Sequence, residues 1–276
     1  MVKLEKIGVV FYIEGMGNEK KALERALAKT AENLRNEKLV KVKRVSVEDV
    51  IENDVEELKY SGMIEAELEG DLEGIVRAVL KYAPAVVEVL GPGRLEIDAK
   101  RLMKVMGEIS LFMGQLMEKF GGLVAYPSLE EIPLPKIGYT EEELEDFILD
   151  ERNIKYMFII EAFGEDEEEI KKTMLKAFFI EGCKINKIAI KGEEKDGRYY
   201  TLVAAELLSP FETMFQLNAK YAPVAISIEE PQIVDITATE LQNALTDLAG
   251  FVYELVHRPI KKKLIEKDTF RFSLQK

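Results

Sequence analysis

Lys81-Tyr82-Ala83-Pro84 recurs as Lys220-Tyr221-Ala222-Pro223, and the match extends far beyond those four residues. At a constant offset of 220 − 81 = 139, Met63 to Phe120 aligns without a gap to Leu202 to Pro259. Ala66-Glu67-Leu68 meets Ala205-Glu206-Leu207, Pro92 meets Pro231, and Phe112 meets Phe251. A repeat of this length makes one supersecondary unit written twice the starting point for any reading of the fold.

Working outward, the first half opens on Ile7 to Ile13, whose β-branched and aromatic residues read as a central strand. Gly15 and Gly17 are expected to turn the chain, with Asn18 as the N-cap of a helix carrying Leu23, Leu27, Ala31 and Leu34. Leu39 to Val45 and Met63 to Glu69 alternate as strands. Asp71 is placed to cap a second helix, which Pro84 ends, and Ala85 to Leu90 reads as a fourth strand. A short strand (95 to 97) and a long third helix (99 to 120) follow.

The second half repeats this order. Met157 to Glu161 matches Val10 to Glu14 at an offset of 161 − 14 = 147, so the first copy holds eight extra residues (147 − 139). Those residues fall in an acidic loop, 48–57, where the second copy has the hairpin signal Asp196-Gly197. Between the copies, Thr140 and Glu143 fit a capping box. The fold class expected is α+β: an internal duplication of a ferredoxin-like βαββαβ module, each with an extra strand and a long C-terminal helix, forming a pseudo-two-fold pair. The segments are residues 1–122, a linker 123–152, residues 153–260, and a basic tail 261–276.

Composition narrows the partners. The chain has 276 residues, 47% apolar and 32% charged, with a formal net charge of −13. Nucleic acid is disfavoured, because phosphate binding needs a basic surface that releases counterions. A single cysteine, Cys183, excludes an intrachain disulfide, and no segment has the length of a membrane span. The expected location is the cytoplasm, and the Lys/Glu-rich usage resembles that of thermophile proteins.

Catalytic constellations are sparse. His257 is the sole histidine and is expected at a helix C-terminus, where its charge would meet the helix dipole. Cys183 reads as a small buried hydrophobe. Gly15-Met16-Gly17 lacks the spacing of a phosphate loop. No catalytic residue is assigned.

Carboxylates supply the metal candidates. Glu65 and Glu67 share one strand face with Glu69, and Glu96 and Asp98 share another. Were those strands neighbours, their oxygens could hold Mg²⁺, Mn²⁺ or Ca²⁺. Glu206 and Asp235 keep the charge of Glu67 and Glu96 in the second copy. The competing reading is a wet, solvated sheet face.

The third helix supplies the interaction candidates. Its apolar residues, among them Met103, leave almost no polar face, so it is expected to be buried on all sides. Gly107, Ser110 and Gly114 form a small-residue stripe for close helix packing, matched at the offset by Thr246, Ala249 and Tyr253. The expected neighbour of each third helix is its counterpart in the other module, with a subunit interface as the runner-up. The functional reading is a non-catalytic protein that binds a small molecule or a protein partner at the cleft between the modules, with homo-oligomerisation as a second use. A divalent-metal enzyme built on the strand carboxylates is the alternative.

Overall fold

A computed structural model describes residues 5–53, 58–123, 129–195 and 197–273, with side chains through Arg258. The elements are β1 (Ile7–Gly17), α1 (Lys20–Arg35), β2 (Lys41–Val47), β3 (Ile51–Glu52), β4 (Tyr60–Gly70), α2 (Leu72–Tyr82), β5 (Val86–Gly91), β6 (Arg94–Asp98) and α3 (Ala99–Phe120). They continue as α4 (Glu141–Leu149), β7 (Ile154–Gly164), α5 (Glu167–Ile180), β8 (Lys184–Lys195), β9 (Arg198–Ser209), α6 (Phe211–Tyr221), β10 (Ala225–Glu230), β11 (Ile233–Thr237) and α7 (Ala238–Ser273). The protein is α+β, with antiparallel sheets and seven helices among the described residues. None of these helices is long and apolar enough to cross a membrane. Contacts divide the chain into two compact units, Met1–Val105 with Ile228–Gly250 and Met106–Ser227 with Phe251–Lys276.

In the first unit the sheet order is β2-β4-β1-β5, with β3 beside β4. Alternation puts Ile7, Val9 and Phe11 of β1 and Ile64, Ala66 and Leu68 of β4 on one face, all fully buried. Leu23, Leu27 and Leu34 of α1 and Ile75 and Val79 of α2 complete that core. Asp71 caps α2 as expected, accepting from the Gly74 N–H at 2.8 Å. Asn18 does not cap α1. Glu19 holds the N-cap position without a side-chain bond, and Asn18 Oδ1 instead accepts the Lys59 N–H at 3.2 Å, tying the strand end to the chain entering β4.

Gly15 and Gly17 do not turn the chain either: both continue β1 in register with β4. The value of Gly15 is lateral, since a Cβ there would meet Leu27 at 2.9 Å and one on its partner Gly62 would meet Leu27 at 2.6 Å. Glycine lets α1 lie close over this strand pair. In the acidic loop, Ile51 and Glu52 form β3, while residues 54–57 lie outside the described residues.

In the second unit the order is β10-β7-β9-β8. Tyr156, Phe158 and Ile160 of β7 face Phe178 of α5 and Met214 and Phe215 of α6 in its core. Thr140 and Glu143 form the reciprocal capping box on α4. The hairpin expected at Asp196-Gly197 joins β8 to β9: Lys195 pairs with Arg198 and Gly197 takes a φ of 74°, while Asp196 lies outside the described residues. Both outer strands carry a bulge at the same place, between Val42 and Arg44 in β2 and between Ile185 and Lys187 in β8. A bulge sets two consecutive residues against one partner residue, so extra side chains meet the opposite strand.

The repeated tetrapeptide closes α2 and α6. Ala83 and Ala222 each take the left-handed conformation (φ 41° and 43°) just before the proline. Lys81 and Tyr82 both bind Glu37 at 2.7 Å, and Lys220 binds Glu181 at 2.6 Å. The motif therefore stops one helix and clamps the chain that leaves another.

The third helix departs from its expected burial. Leu102, Val105, Met106, Ile109 and Met113 are buried, but Gly107 is exposed and Leu111 is 67% exposed. Apolar residues beyond one stripe can stay on the surface, because a soluble protein lacks enough polar surface to cover itself. The small-residue stripe is not a single close-packing seam. Ser110 donates to Asn218 Oδ1 (3.0 Å), whose Nδ2 donates to the Met106 carbonyl (2.9 Å), and a Cβ on Gly114 would lie 3.8 Å from Ala222 Cβ. A Cβ on Gly107 would meet nothing within 4 Å.

The role of that position emerges from its counterpart at 246 − 107 = 139. On α7, Thr246 Oγ1 accepts the Val87 N–H at 3.1 Å and Gln242 Oε1 accepts the Val89 N–H at 3.0 Å, closing the outer edge of β5. On α3, Met103 Sδ takes the place of Gln242 and accepts the Ile228 N–H of β10 at 3.1 Å, while Gly107 offers no group where Thr246 does. Gly107→Thr is expected to stabilise the protein by about 0.5–1.5 kcal/mol, from restored helix propensity plus one hydrogen bond. Denaturant unfolding checks this, and a loss of stability would contradict the equivalence.

α7 also corrects the placement of His257. The helix continues to Ser273, so His257 lies within it and not at its end. Its ring stacks on Tyr253 (centroids 3.9 Å apart), and Nδ1 lies 2.9 Å from the Tyr253 carbonyl. Of the other positions matched to the α3 stripe, Ala249 is fully buried and Tyr253 is 38% exposed.

Candidate functional site

Each sheet turns one face away from its helices, and the two faces differ in chemistry. On the first, Glu65, Glu67 and Glu69 of β4 do share a side, with Tyr12 of β1 and Glu88 of β5 beside them. Cations meet them one by one. Arg44 pairs with Glu65, and Lys43 reaches Glu69 at 2.8 Å and Glu67 at 3.9 Å; Lys6 reaches Glu69 at 3.5 Å. The bulge in β2 is what aims both Lys43 and Arg44 at this row. The Lys43 bond holds the Glu69 carboxyl below its ordinary pKa. Tyr12 donates to Glu88 at 3.0 Å, a bond that raises the tyrosine's pKa. This is a charge-compensated, wet surface.

Glu96 and Asp98 lie elsewhere, on β6 in a separate two-stranded ribbon with β11. Glu96 stands directly across from Asp235, Asp235 pairs with Arg94 at 2.8 Å, and Asp98 accepts the Lys100 N–H at 2.9 Å. The fold thus separates Glu65 and Glu67 from Glu96 and Asp98. Among the described residues no group of three or more His, Cys, Asp or Glu is arranged to hold a metal ion.

Glu206, the counterpart of Glu67, is 4% exposed. It accepts from Asn186 (2.5 Å) and Lys187 (2.9 Å), with Lys155 at 3.7 Å. Asn186 and Lys187 straddle the β8 bulge, as Lys43 and Arg44 straddle that of β2. Burial alone would raise the Glu206 pKa, but these donors outweigh it and hold the group ionised. Cys183 is 4% exposed, and burial pushes its thiol up to about 12, leaving a poor nucleophile.

Toward the hairpin end of the second sheet the open face becomes apolar. Counterparts at the offsets of 147 and 139 change character: Met16 becomes Phe163, Tyr12 becomes Ile159, Ser61 becomes Tyr200, and Glu65 becomes Ala204. Phe163 and Tyr200 stand opposite each other on β7 and β9, with ring centroids 6.3 Å apart and planes at 36°. Phe163 is 66% exposed, Tyr200 45% and Leu202 43%. They line a groove of about 800 Å³ together with Glu161, Lys191 and Glu193. The Arg198 guanidinium lies 5.9 Å from the Phe163 ring centre.

None of these groove residues stands out in a reading for chemical motifs. Their signal is the comparison of copies: four polar or flexible residues of the first open face, Met16, Tyr12, Ser61 and Glu65, have become aromatic or aliphatic in the second.

No solved structure matches the chain. The uncharacterised protein MJ0538 of Methanocaldococcus jannaschii is 32% identical to it over 259 residues, which cover 91% of this chain and 97% of that protein. The MJ0538 family matches residues 8–262, and the chain belongs to that family.

Proposed function

We propose that the chain is a non-catalytic binding protein whose ligand docks on the open face of its second sheet. The carrying observation is the groove around Phe163, Tyr200 and Leu202, an apolar concavity where the first copy has a charge-compensated surface. A pocket of that size, mostly apolar with a few charges at its rim, suits a small organic molecule or a side chain of a protein partner. The proposal includes the architecture: a tandem pair of ferredoxin-like modules, residues 1–122 and 153–260. The shared strand order and the bulges at matching positions support it.

Nile red, a neutral apolar dye, tests the groove. Saturable fluorescence enhancement is expected with the folded protein. Phe163→Ser combined with Leu202→Ser should weaken it about tenfold or more, since removing that apolar contact is worth upwards of ~1.4 kcal/mol. The counterpart pair Met16→Ser with Met63→Ser should leave it unchanged. Equal loss in both variants, or loss in neither, would overturn the assignment.

A further inference from the structure

We propose that this groove takes a ligand whose planar apolar body carries a positive charge, and that Arg198 competes from within the protein for the same aromatic face. The proposal rests on the reading of the groove above and adds the charge class of its occupant.

The face of an aromatic ring is the negative pole of its quadrupole, so a cation within about 6 Å of the centroid is attracted to it. Phe163 already draws one, the Arg198 guanidinium at 5.9 Å. Arg198 follows Gly197 at the hairpin and is exposed, and among the described residues little besides the ring holds its side chain in place. The Phe163 ring is itself 66% exposed, which leaves room for a ligand to approach as the guanidinium swings out.

The rim decides the sign. With Arg198 swung out, Glu161 and Glu193 line the groove against one ammonium, Lys191. The chain's net charge of −13 adds a field that concentrates cations near the surface. An anionic ligand would meet two carboxylates, and a neutral one would leave them unused. A ligand cation takes the guanidinium's place at the ring and meets the rim carboxylates, while the flat body covers Tyr200 and Leu202. Released Arg198 returns to water at no loss of hydration.

A matched series of competitors tests this on the full chain. 2-(Aminomethyl)naphthalene, 2-naphthalenemethanol and 2-naphthoate share one ring system and differ in charge at neutral pH. The ammonium compound should displace Nile red at several-fold lower concentration than the alcohol, with the carboxylate weakest. Arg198→Ala should make the ammonium compound bind about two- to five-fold tighter, the strength of an exposed cation–ring contact. Glu161→Gln with Glu193→Gln should level the series. Circular dichroism confirms that each exposed-site variant is folded. Equal displacement by amine and alcohol would overturn the charge assignment and leave the groove reading standing. Strongest displacement by naphthoate, abolished in Arg198→Ala, would reverse the sign and overturn the proposal. If Nile red fails to bind, or no competitor displaces it, the groove reading falls together with the proposal.

Discussion

Phe158→Ala is expected to destabilise the protein by about 3–5 kcal/mol, the range for truncating a buried aromatic. Phe158 is fully buried, and its ring meets those of Tyr156, Phe178 and Tyr221 edge-on at 6.2, 6.0 and 6.2 Å. Such edge-to-face pairs add about 0.5–1.5 kcal/mol each beyond the area buried. Phe11, its counterpart at 158 − 147, is equally buried but has no ring within stacking distance among the described residues. Phe11→Ala should therefore fall nearer the lower end of the range. Urea unfolding followed by tyrosine fluorescence measures both. A cost below about 1 kcal/mol for Phe158→Ala would mean that the aromatic cluster is not packed as described.

Glu37→Gln is the second large effect, and it depends on pH. The Glu37 side chain is 4% exposed. Burial would raise its pKa, but Lys81, Tyr82 and the backbone N–H groups of Leu39 and Lys38 outweigh burial and hold it at about 2. A carboxyl whose folded pKa lies below its unfolded value stabilises the fold above the unfolded pKa, here 4.5. That contribution, on the order of 2–3 kcal/mol, disappears as pH falls from 4.5 toward 2. Glu37→Gln should thus cost about that much at neutral pH and progressively less in acid. The gap between wild type and variant, measured by denaturant unfolding at several pH values, should narrow in that window. A gap independent of pH would show that the clamp does not depend on the ionised carboxylate.

The clamp illustrates what a sequence makes legible. Lys-Tyr-Ala-Pro announces the repeat and the helix end through proline, yet Glu37 lies 44 residues from Lys81 and nothing local marks it as the partner. Elements set by short-range chemistry were readable: Asp71 and Thr140 cap their helices, Lys195 and Arg198 close a hairpin beside Gly197, and Glu65 and Glu67 share a face. Elements set by what lies above them were not. Gly15 and Gly17 look like a turn but continue β1, and Gly15 serves the approach of Leu27. Asn18 has an N-cap's side chain and spends it on Lys59. Alternation puts Phe163 and Tyr200 on one side of the sheet, but their exposure depends on what covers that side. For the same reason the apolar excess of α3 did not translate into burial of Gly107 and Leu111.

The edge of β5 has one more consequence. Its outward amides at Val87 and Val89 are occupied by a threonine and a glutamine on α7, 159 and 153 residues away in the chain. A strand closed in this way cannot recruit a foreign strand, so those two side chains act as guards against aggregation. In a mutational screen, a change at Thr246 or Gln242 would register as lost solubility of a strand in the other half of the sequence, while the helix that bears them stayed intact.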